Sequence, residues 1–364
     1  MFDRRLIRHF DWGLLFLTLF LCGAGLLSIY SAVGNTPREG LFLKQTIWYG
    51  AGLGTAMLLC LVDYKRFENW AYPLYLATMG LLAAVLVAGR MAAGSRRWLV
   101  LGPMTLQPSE LAKIAVILVL ARYFACRIKL EGFRLRELIV PFLLAMLPFL
   151  LIARQPDLGT GLTVLLIAGS MTLFVRVEPR SLAISAFLAA TSGATGFFFL
   201  KPYQRQRILT FLDPDRDPLG AGYHIIQSKI AIGSGMIRGK GMFQGTQNTL
   251  AFLPEQHTDF IFSVLAEEWG FVGAFVLCVA FFLLVVRGLG IALACRDHFG
   301  AILAVGATSM IFWQATINLG MVMGLLPVVG MPLPLVSYGG SSILTIMICL
   351  GLLANVSMRR FVVR

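Results

Sequence analysis

Ten long apolar runs divide the sequence, and they constrain its fold more than any other feature. A helix needs about 20 residues to cross the hydrocarbon core of a bilayer, which is roughly 30 Å thick. Apolar residues make up 58% of the 364 residues and charged residues only 13%, whereas a soluble protein has about 25% charged residues. The predicted spans are 12–33, 45–62, 70–89, 109–126, 137–153, 158–175, 181–200, 259–286, 299–325 and 339–358.

These runs predict an all-α polytopic membrane protein whose ten transmembrane helices form one integral membrane domain over residues 1–364. The apolar residues are continuous and do not alternate with polar ones, as they would in the strands of a membrane barrel. The six cysteines show no CxxC spacing. We therefore predict neither a disulfide framework nor a zinc site.

The formal net charge of +13 has its explanation in membrane topology. On a soluble protein so basic a composition would indicate a nucleic-acid partner. Here more than half of the 31 Lys and Arg residues flank the same ends of the spans, and short basic loops stay on the cytoplasmic side. We therefore predict cytoplasmic N- and C-termini, and no nucleic-acid partner.

One connection, residues 201–258, is much longer than the others and falls on the outer side. Loops of this length are usually functional or disordered. The apolar residues of 223–232 recur at helical spacing, which favours short interfacial helices lying on the membrane. The run 213–218 contains two aspartates at DxD spacing between two prolines, and we interpret it as a turn rather than a metal motif.

Charged residues inside the spans are candidates for function, because burying them in a membrane is costly. Glu110 and Lys113 are three residues apart on one predicted helix, where their side chains can pair. The pair is either structural and self-neutralising, or part of a polar cavity in which Lys113 faces an anion. Ser109 is the predicted N-cap of that helix, and Asp157 is the predicted cap of the sixth span.

Asp259 is the strongest candidate for catalysis. It opens the eighth span beside apolar Phe260, and an apolar boundary is expected to raise a carboxyl pKa, which suits a general base. The alternative is a carboxylate that only stabilises the helix start. His257 and Asp259 have the chemistry of metal ligands, but no third ligand lies nearby in sequence. We therefore predict no metal site. Glu267 and Glu268 lie deeper on the same helix, as polar contacts or as partners of a broken helix.

The most irregular stretch is the segment 326–342, which contains three prolines and three glycines. Irregular backbone at membrane depth is tolerated only inside protein or along a cavity. Its hydroxyl residues, among them Ser337 and Ser341, are therefore predicted to line a pocket wall. A re-entrant turn without any ligand is the alternative.

Several of these stretches together resemble the SEDS family (shape, elongation, division and sporulation). The resemblance covers nearly the whole chain, and motifs of this length are highly specific. Within the family, the stretches Ala266–Glu268 and Gly320–Gly330 are more similar to the elongation branch than to the division branch. The matching stretches are Gly94–Leu99, Leu106–Lys113, Arg154–Thr160, Phe211–Gly245, Leu253–Gly270 and Asn318–Ser342.

The resemblance implies a peptidoglycan glycosyltransferase of the bacterial cytoplasmic membrane. Such an enzyme polymerises lipid II into β-1,4 glycan strands on the outer face during cell elongation, beside a class B penicillin-binding protein. Asp259 matches the essential aspartate of the family, Glu110 and Lys113 match its intramembrane pair, and Asp157 matches a polar residue of the cavity.

The implied reaction requires positive charge for a diphosphate leaving group, and further polar residues to bind substrate. A divalent cation, Mg²⁺ or Mn²⁺, is an alternative source of charge, although no cofactor is required by the sequence. The residues expected to bind substrate are Glu110, Lys113, Asp157, Arg96, Arg97, Arg205, Arg207, His257, Ser337 and Ser341.

Two other functional classes remain open at this stage. A transporter that flips lipid II would use buried charges and broken helices in the same way, although no repeat symmetry between the halves is evident. A non-catalytic scaffold for a penicillin-binding protein would leave the residues around Asp259 and the buried charges unexplained.

Overall fold

The computed structural model describes residues 9–34, 40–92, 95–101, 104–129, 132–199, 201–217, 220–250, 252 and 256–360. Most of the described chain is helical. The elements are α1 (Trp12–Val33), α2 (Gly40–Leu61), α3 (Lys65–Ala88), β1 (Arg90–Ala92), β2 (Ser95–Leu101), β3 (Met104–Leu106), α4 (Pro108–Ala125), α5 (Leu135–Arg154), α6 (Leu158–Phe174), α7 (Pro179–Phe199), α8 (Pro202–Leu212), a 3₁₀ turn (Pro214–Arg216), α9 (Ala221–Ser234), α10 (Thr246–Thr249), α11 (Ile261–Ala294), α12 (His298–Val322) and α13 (Gly340–Arg359).

Each of the ten predicted spans coincides with one of these helices. Among the described residues, six helices are long and apolar enough to cross a membrane: α1, α3, α5, α11, α12 and α13. The other four predicted spans correspond to α2, α4, α6 and α7, so the full count of ten remains a prediction. The predicted end of the eighth span, residue 286, is too early, because α11 continues to Ala294.

The prediction of an all-α chain misses a small sheet between α3 and α4. Strands β1, β2 and β3 form an antiparallel sheet in that order, with Leu99 opposite Leu106 and Leu101 opposite Met104. These residues lie between the third and fourth predicted spans, where no regular element was predicted. Antiparallel pairing satisfies the backbone groups of the strands locally.

The described part of the long connection 201–258 contains short helices, as predicted. It contains α8, the 3₁₀ turn at Pro214–Arg216, α9 and α10. The two aspartates of the DxD run therefore lie in and beside a turn, as the flanking prolines indicate. The position of these helices relative to a membrane surface remains a prediction.

Helices α4 and α12 form the centre of the bundle, since most of their side chains are buried. They pack against each other and against α6. Helices α5 and α11 instead expose long rows of large apolar side chains. This arrangement is expected where lipid or another helix covers the outside.

Helix α11 is broken near its outer end at Gly270, which has φ +64° and ψ −161°. In an uninterrupted helix, the N–H groups of Phe271 and Val272 would donate to the carbonyls of Glu267 and Glu268. Here both N–H groups donate instead to residues of the outer loop, at 2.8 and 3.2 Å, and both carbonyls accept loop N–H groups at 3.0 Å. The loop partners are Met236, Ile237, Lys240 and Gly241.

The segment 236–241 is thus inserted into the hydrogen-bond ladder of α11, and every backbone group freed by the break is satisfied. The carboxylates of Glu267 and Glu268 form further hydrogen bonds around the break. Glu267 Oε1 accepts from Lys240 Nζ at 2.7 Å and from the backbone N–H of Gln247 at 3.1 Å. Glu268 Oε1 accepts from the hydroxyl of Ser31 in α1. Glu267 and Glu268 are therefore the bonded partners of a broken helix.

We expect Gly239→Ala to destabilise this attachment. Gly239 has φ +79°, and an added Cβ would lie 2.5 Å from the carbonyl carbon of Glu268. The backbone strain alone costs about 1–3 kcal/mol. Thermal unfolding of the detergent-solubilised protein measures the effect.

Gly233→Ala is the matched control, since a Cβ at this α9 position meets no atom within 4 Å. Alanine is also the better helix former, so this variant should be unchanged or stabilised by about 0.4–1 kcal/mol. Equal losses in the two variants would contradict the inserted-segment arrangement.

Candidate active site

Asp259 lies in the turn 256–260 that leads into α11, and three consecutive carbonyls of this turn are held by hydrogen bonds. The backbone N–H of Tyr338 donates to His257 O at 2.9 Å. The Ser337 hydroxyl donates to Thr258 O at 2.6 Å, and Asn318 Nδ2 donates to Asp259 O at 2.9 Å. The backbone that carries the Asp259 carboxylate is therefore fixed from α12 and from the segment before α13.

The middle of the proline- and glycine-rich segment before α13 is itself buried, with Leu335 and Val336 almost inaccessible to solvent. Helix α2 satisfies its backbone: the Tyr49 hydroxyl donates to Leu335 O at 2.6 Å, and Gln45 Nε2 donates to Ser337 O at 3.1 Å. Irregular backbone at this depth thus lies inside protein, in agreement with the sequence prediction.

Gly330, in the same segment, lies against the Asp259 carboxylate. It has φ +69°, and an added Cβ would be 3.3 Å from Asp259 Oδ2. The next residue, Met331, accepts a hydrogen bond from Asn318 Nδ2 at 2.6 Å through its carbonyl oxygen. Asn318 therefore holds both sides of the contact between Asp259 and Gly330.

The Glu110–Lys113 pair predicted from spacing is present in the first turns of α4. Lys113 Nζ lies 2.7 Å from Glu110 Oε1, and both side chains are buried. The predicted cap Ser109 is wrong by two positions. Gln107 precedes the helix as N-cap, Pro108 occupies its first turn, and proline fits there because the first N–H groups of a helix have no partner.

Asp157 caps α6, as predicted, by accepting from the backbone N–H of Thr160 at 3.4 Å. It also forms an ion pair with Arg97 of β2 at 3.9 Å and accepts from Gln107 Nε2 at 3.3 Å. Arg97 additionally donates to the carbonyl of Pro156. Asp157 thus joins the small sheet to the starts of α4 and α6.

The structure brings most of the predicted substrate-binding residues into two adjoining groups. The first is the Asp259 turn with His257 and Ser337; the second is the ion pair with Asp157 and Arg97. Residues 329 and 331 connect them, because Val329 and Met331 pack against Gly159 of α6.

Tyr338 lies beside His257, with ring centroids 5.9 Å apart. Burial raises the pKa of the Tyr338 hydroxyl.

The remaining predicted residues lie elsewhere or are not described. Arg205 lines a separate cavity of about 400 Å³ on α8 together with Arg216, and Arg207 is exposed on the same helix. Ser341 is half-buried in the first turn of α13. The side chain of Arg96 lies outside the described residues.

Sequence analysis missed Asn318, Gln107 and the two α2 residues that hold the segment before α13. A signal was available for Asn318, because a carboxamide inside an apolar span is costly unless it has partners. Gln107 lies just outside its helix, where nothing in the sequence distinguishes it from a loop residue.

The sequence profile of the FtsW/RodA/SpoVE family, described as cell cycle proteins, matches residues 12–361. The chain belongs to this family. It is 43% identical over 354 residues to the peptidoglycan glycosyltransferase MrdB of Escherichia coli K12, covering 97% of this chain and 94% of that protein.

Two solved structures are similar over the whole fold. One is a chain from a study of how a peptidoglycan synthase complex coordinates polymerization and crosslinking, with a TM-score of 0.83 and 38% identity. The other is the rod shape determining protein RodA of Thermus thermophilus, with a TM-score of 0.73 and 34% identity. Each match covers 97% of this chain and 98% of the other chain. The protein is thus a multi-pass protein of the bacterial inner membrane.

We expect Gly330→Ala to lower activity, because its Cβ would lie 3.3 Å from Oδ2 of Asp259, the predicted base, and the carboxylate would have to move by a fraction of an ångström. A shift of about 1 Å in a catalytic group can reduce turnover about 100-fold, so the expected loss is smaller than this. Gly324→Ala is the control: it has the same φ of +69°, but its Cβ would meet the flexible end of Lys229. Glycan synthesis by the two purified variants, matched for folded protein, tests the contact; similar losses would rule out a specific effect on Asp259.

Proposed function

We propose that this chain, a peptidoglycan glycosyltransferase of the FtsW/RodA/SpoVE family, polymerises lipid II with Asp259 as its general base. The observation that carries the proposal is the fixed turn at residues 257–259, whose three carbonyls are all bonded to neighbouring elements. A catalytic base must be held within hydrogen-bond reach of the proton it removes. This turn supplies such rigidity beside a segment of irregular backbone.

In the proposed reaction, Asp259 removes the proton from the 4-hydroxyl of the acceptor GlcNAc. The resulting oxygen attacks the anomeric carbon of the lipid-linked donor sugar, and the bond from that carbon to the diphosphate breaks. Undecaprenyl diphosphate leaves with the bonding electrons. Attack opposite the leaving group inverts the α linkage of the donor to a β-1,4 linkage.

Positive side chains are proposed to stabilise the leaving diphosphate. Lys113 and Arg97 are already engaged by Glu110 and Asp157, so the diphosphate would share these cations with the two carboxylates. Arg205 and Arg207 on α8 lie outside the two groups and suit the more exposed part of a substrate. Among the described residues, no three His, Cys, Asp or Glu side chains cluster to bind a metal, and no step is assigned to a divalent cation.

We further propose the ten-span topology, with both termini cytoplasmic and residues 201–258 outside. The distribution of basic residues supports it, and an even number of spans places both termini on one side. The chain would then form one integral membrane domain with its candidate active site toward the outer face. A class B penicillin-binding protein is the proposed partner, since one structural relative comes from a complex that polymerises and crosslinks peptidoglycan.

Thiol labelling tests this topology. In Asp215→Cys, a membrane-impermeant maleimide added to intact spheroplasts should label the new thiol in the outer loop. It should not label native Cys126, which is exposed but predicted to be cytoplasmic. Both thiols should react after the membrane is permeabilised. Labelling of Cys126 in intact spheroplasts would reject the orientation.

Asp259→Asn should abolish polymerisation, because the amide cannot accept the hydroxyl proton. General-base catalysis contributes about 100- to 10,000-fold, so residual synthesis should fall at least that far. The assay is glycan synthesis from purified lipid II in detergent, which has no second compartment and therefore also separates a polymerase from a flippase. The control is Asp215→Asn, which changes an exposed carboxylate of the outer loop. Normal polymer from the Asp259 variant would sink the proposed mechanism.

A further inference from the structure

Gln314 in α12 is 1% exposed, and neither Oε1 nor Nε2 of its side chain has a hydrogen-bond partner among the described residues. Leaving a buried polar group unsatisfied costs about 1–3 kcal/mol. Leucine at this position would avoid that cost. A carboxamide placed here without protein partners therefore indicates a polar partner from outside the chain, either a buried water or a ligand.

The position of Gln314 along the bundle follows from one contact between α4 and α12 and from a second that runs through Cys349 of α13. Gly306 of α12 packs against Ile117 of α4. One turn further along α12, Met310 contacts Cys349 at 3.5 Å, and Cys349 is within electrostatic range of Lys113, one turn back along α4. The two helices are thus antiparallel. The next turn of α12, at Gln314, lies at the level where α4 begins.

Two polar side chains at the same or the adjoining level of the bundle also have unpartnered buried atoms. Glu110, in the first turn of α4, uses Oε1 to bind Lys113, while its Oε2 has no partner among the described residues. Asn318 lies one turn beyond Gln314 on the same face of α12. Its Nδ2 is bonded to the Asp259 turn, while its Oδ1 has no partner within the described part of the chain.

From their levels along α4 and α12, we infer that these three side chains follow one another as a polar column from the ion pair to the Asp259 turn. The column offers three acceptor oxygens, Glu110 Oε2, Gln314 Oε1 and Asn318 Oδ1, and one donor group, Gln314 Nε2. A ligand that matches it must mainly donate hydrogen bonds, as hydroxyl and amide N–H groups do. A diphosphate only accepts hydrogen bonds, and Lys113 suits it better.

We propose that Gln314 and Asn318, with Glu110, form a subsite for the hydroxyl and N-acetyl groups of the lipid-linked sugar. The inference rests on the proposed polymerisation of lipid II and names a part of its substrate site. Gln314 touches the sugar and takes no part in proton transfer. It therefore contributes to substrate affinity and to discrimination between sugar-bearing and bare lipid diphosphates.

Binding to Asp259→Asn protein tests the subsite without turnover. Lipid II and undecaprenyl diphosphate are titrated separately against this variant and against Asp259→Asn/Gln314→Leu. We expect the second substitution to weaken lipid II binding about tenfold, the loss of one or two hydrogen bonds, and to leave undecaprenyl diphosphate binding unchanged. The control variant is Asp259→Asn/Met310→Leu, whose second substitution lies on the same face of α12. It should change the affinity for neither lipid II nor undecaprenyl diphosphate.

Thermal unfolding separates this role from a structural one. Gln314→Leu removes an unsatisfied carboxamide from the core, so its melting temperature should be equal to or higher than that of the native protein. A lower melting temperature would assign Gln314 a structural role and overturn the proposal. If Gln314→Leu weakened the binding of lipid II and of undecaprenyl diphosphate equally, Gln314 would be assigned to the diphosphate. If lipid II binding were unchanged, Gln314 would bind only water. Either result overturns the sugar subsite.

These outcomes are independent of the mechanism proposed for Asp259. Polymerisation by Asp259→Asn protein would reject the general base whatever the affinities are. Conversely, an inactive Asp259→Asn protein that binds lipid II equally with and without Gln314 would retain the general base and reject the subsite.

Discussion

Backbone groups that leave regular structure inside a membrane protein must find partners within the protein, and this requirement determines the architecture around Asp259. The break of α11 at Gly270 frees two carbonyls and two N–H groups, and the loop segment 236–241 satisfies all four. The irregular segment before α13 is satisfied by α2, α12 and the Asp259 turn. The candidate base thus lies between two irregular regions, each held by hydrogen bonds to other elements.

The central helix α12 connects the two polar groups of the site. Asn318 reaches the Asp259 turn and Met331, while the next turn inward carries Gln314 at the level of the buried ion pair. On the other side, Asp157 fixes the starts of α4 and α6 relative to β2. Because most side chains of α4 and α12 are buried and the two helices pack against each other, the ion pair and the turn are held in one packed unit.

The sequence predicted what depends on local pattern. Apolar runs located the helices, spacing of three predicted the Glu110–Lys113 pair, and prolines and glycines identified the irregular segment before α13. Features that depend on contacts between distant residues were not predictable. The hydrogen bonds of Asn318 are an example, since they need partners whose position only the packed bundle defines. The sheet between residues 90 and 106 pairs strands that are adjacent in sequence, and it was missed because these residues fall between two predicted spans. The cap assigned to Ser109 failed because proline occupies the first turn and moves the cap back to Gln107.

The same packing explains how polar groups without protein partners persist in the column at Gln314. Helix α12 is fixed at its outer end by the bonds of Asn318 and along its length by close contacts such as that of Gly306 with Ile117. Rotating α12 to bring Gln314 to a partner on another helix would break both. Its unsatisfied carboxamide is therefore maintained by the stability of the surrounding bundle, in the way that strained or unsatisfied groups persist at binding sites. A polar ligand that enters the column recovers this free energy, which makes the column a binding determinant rather than a contributor to folding.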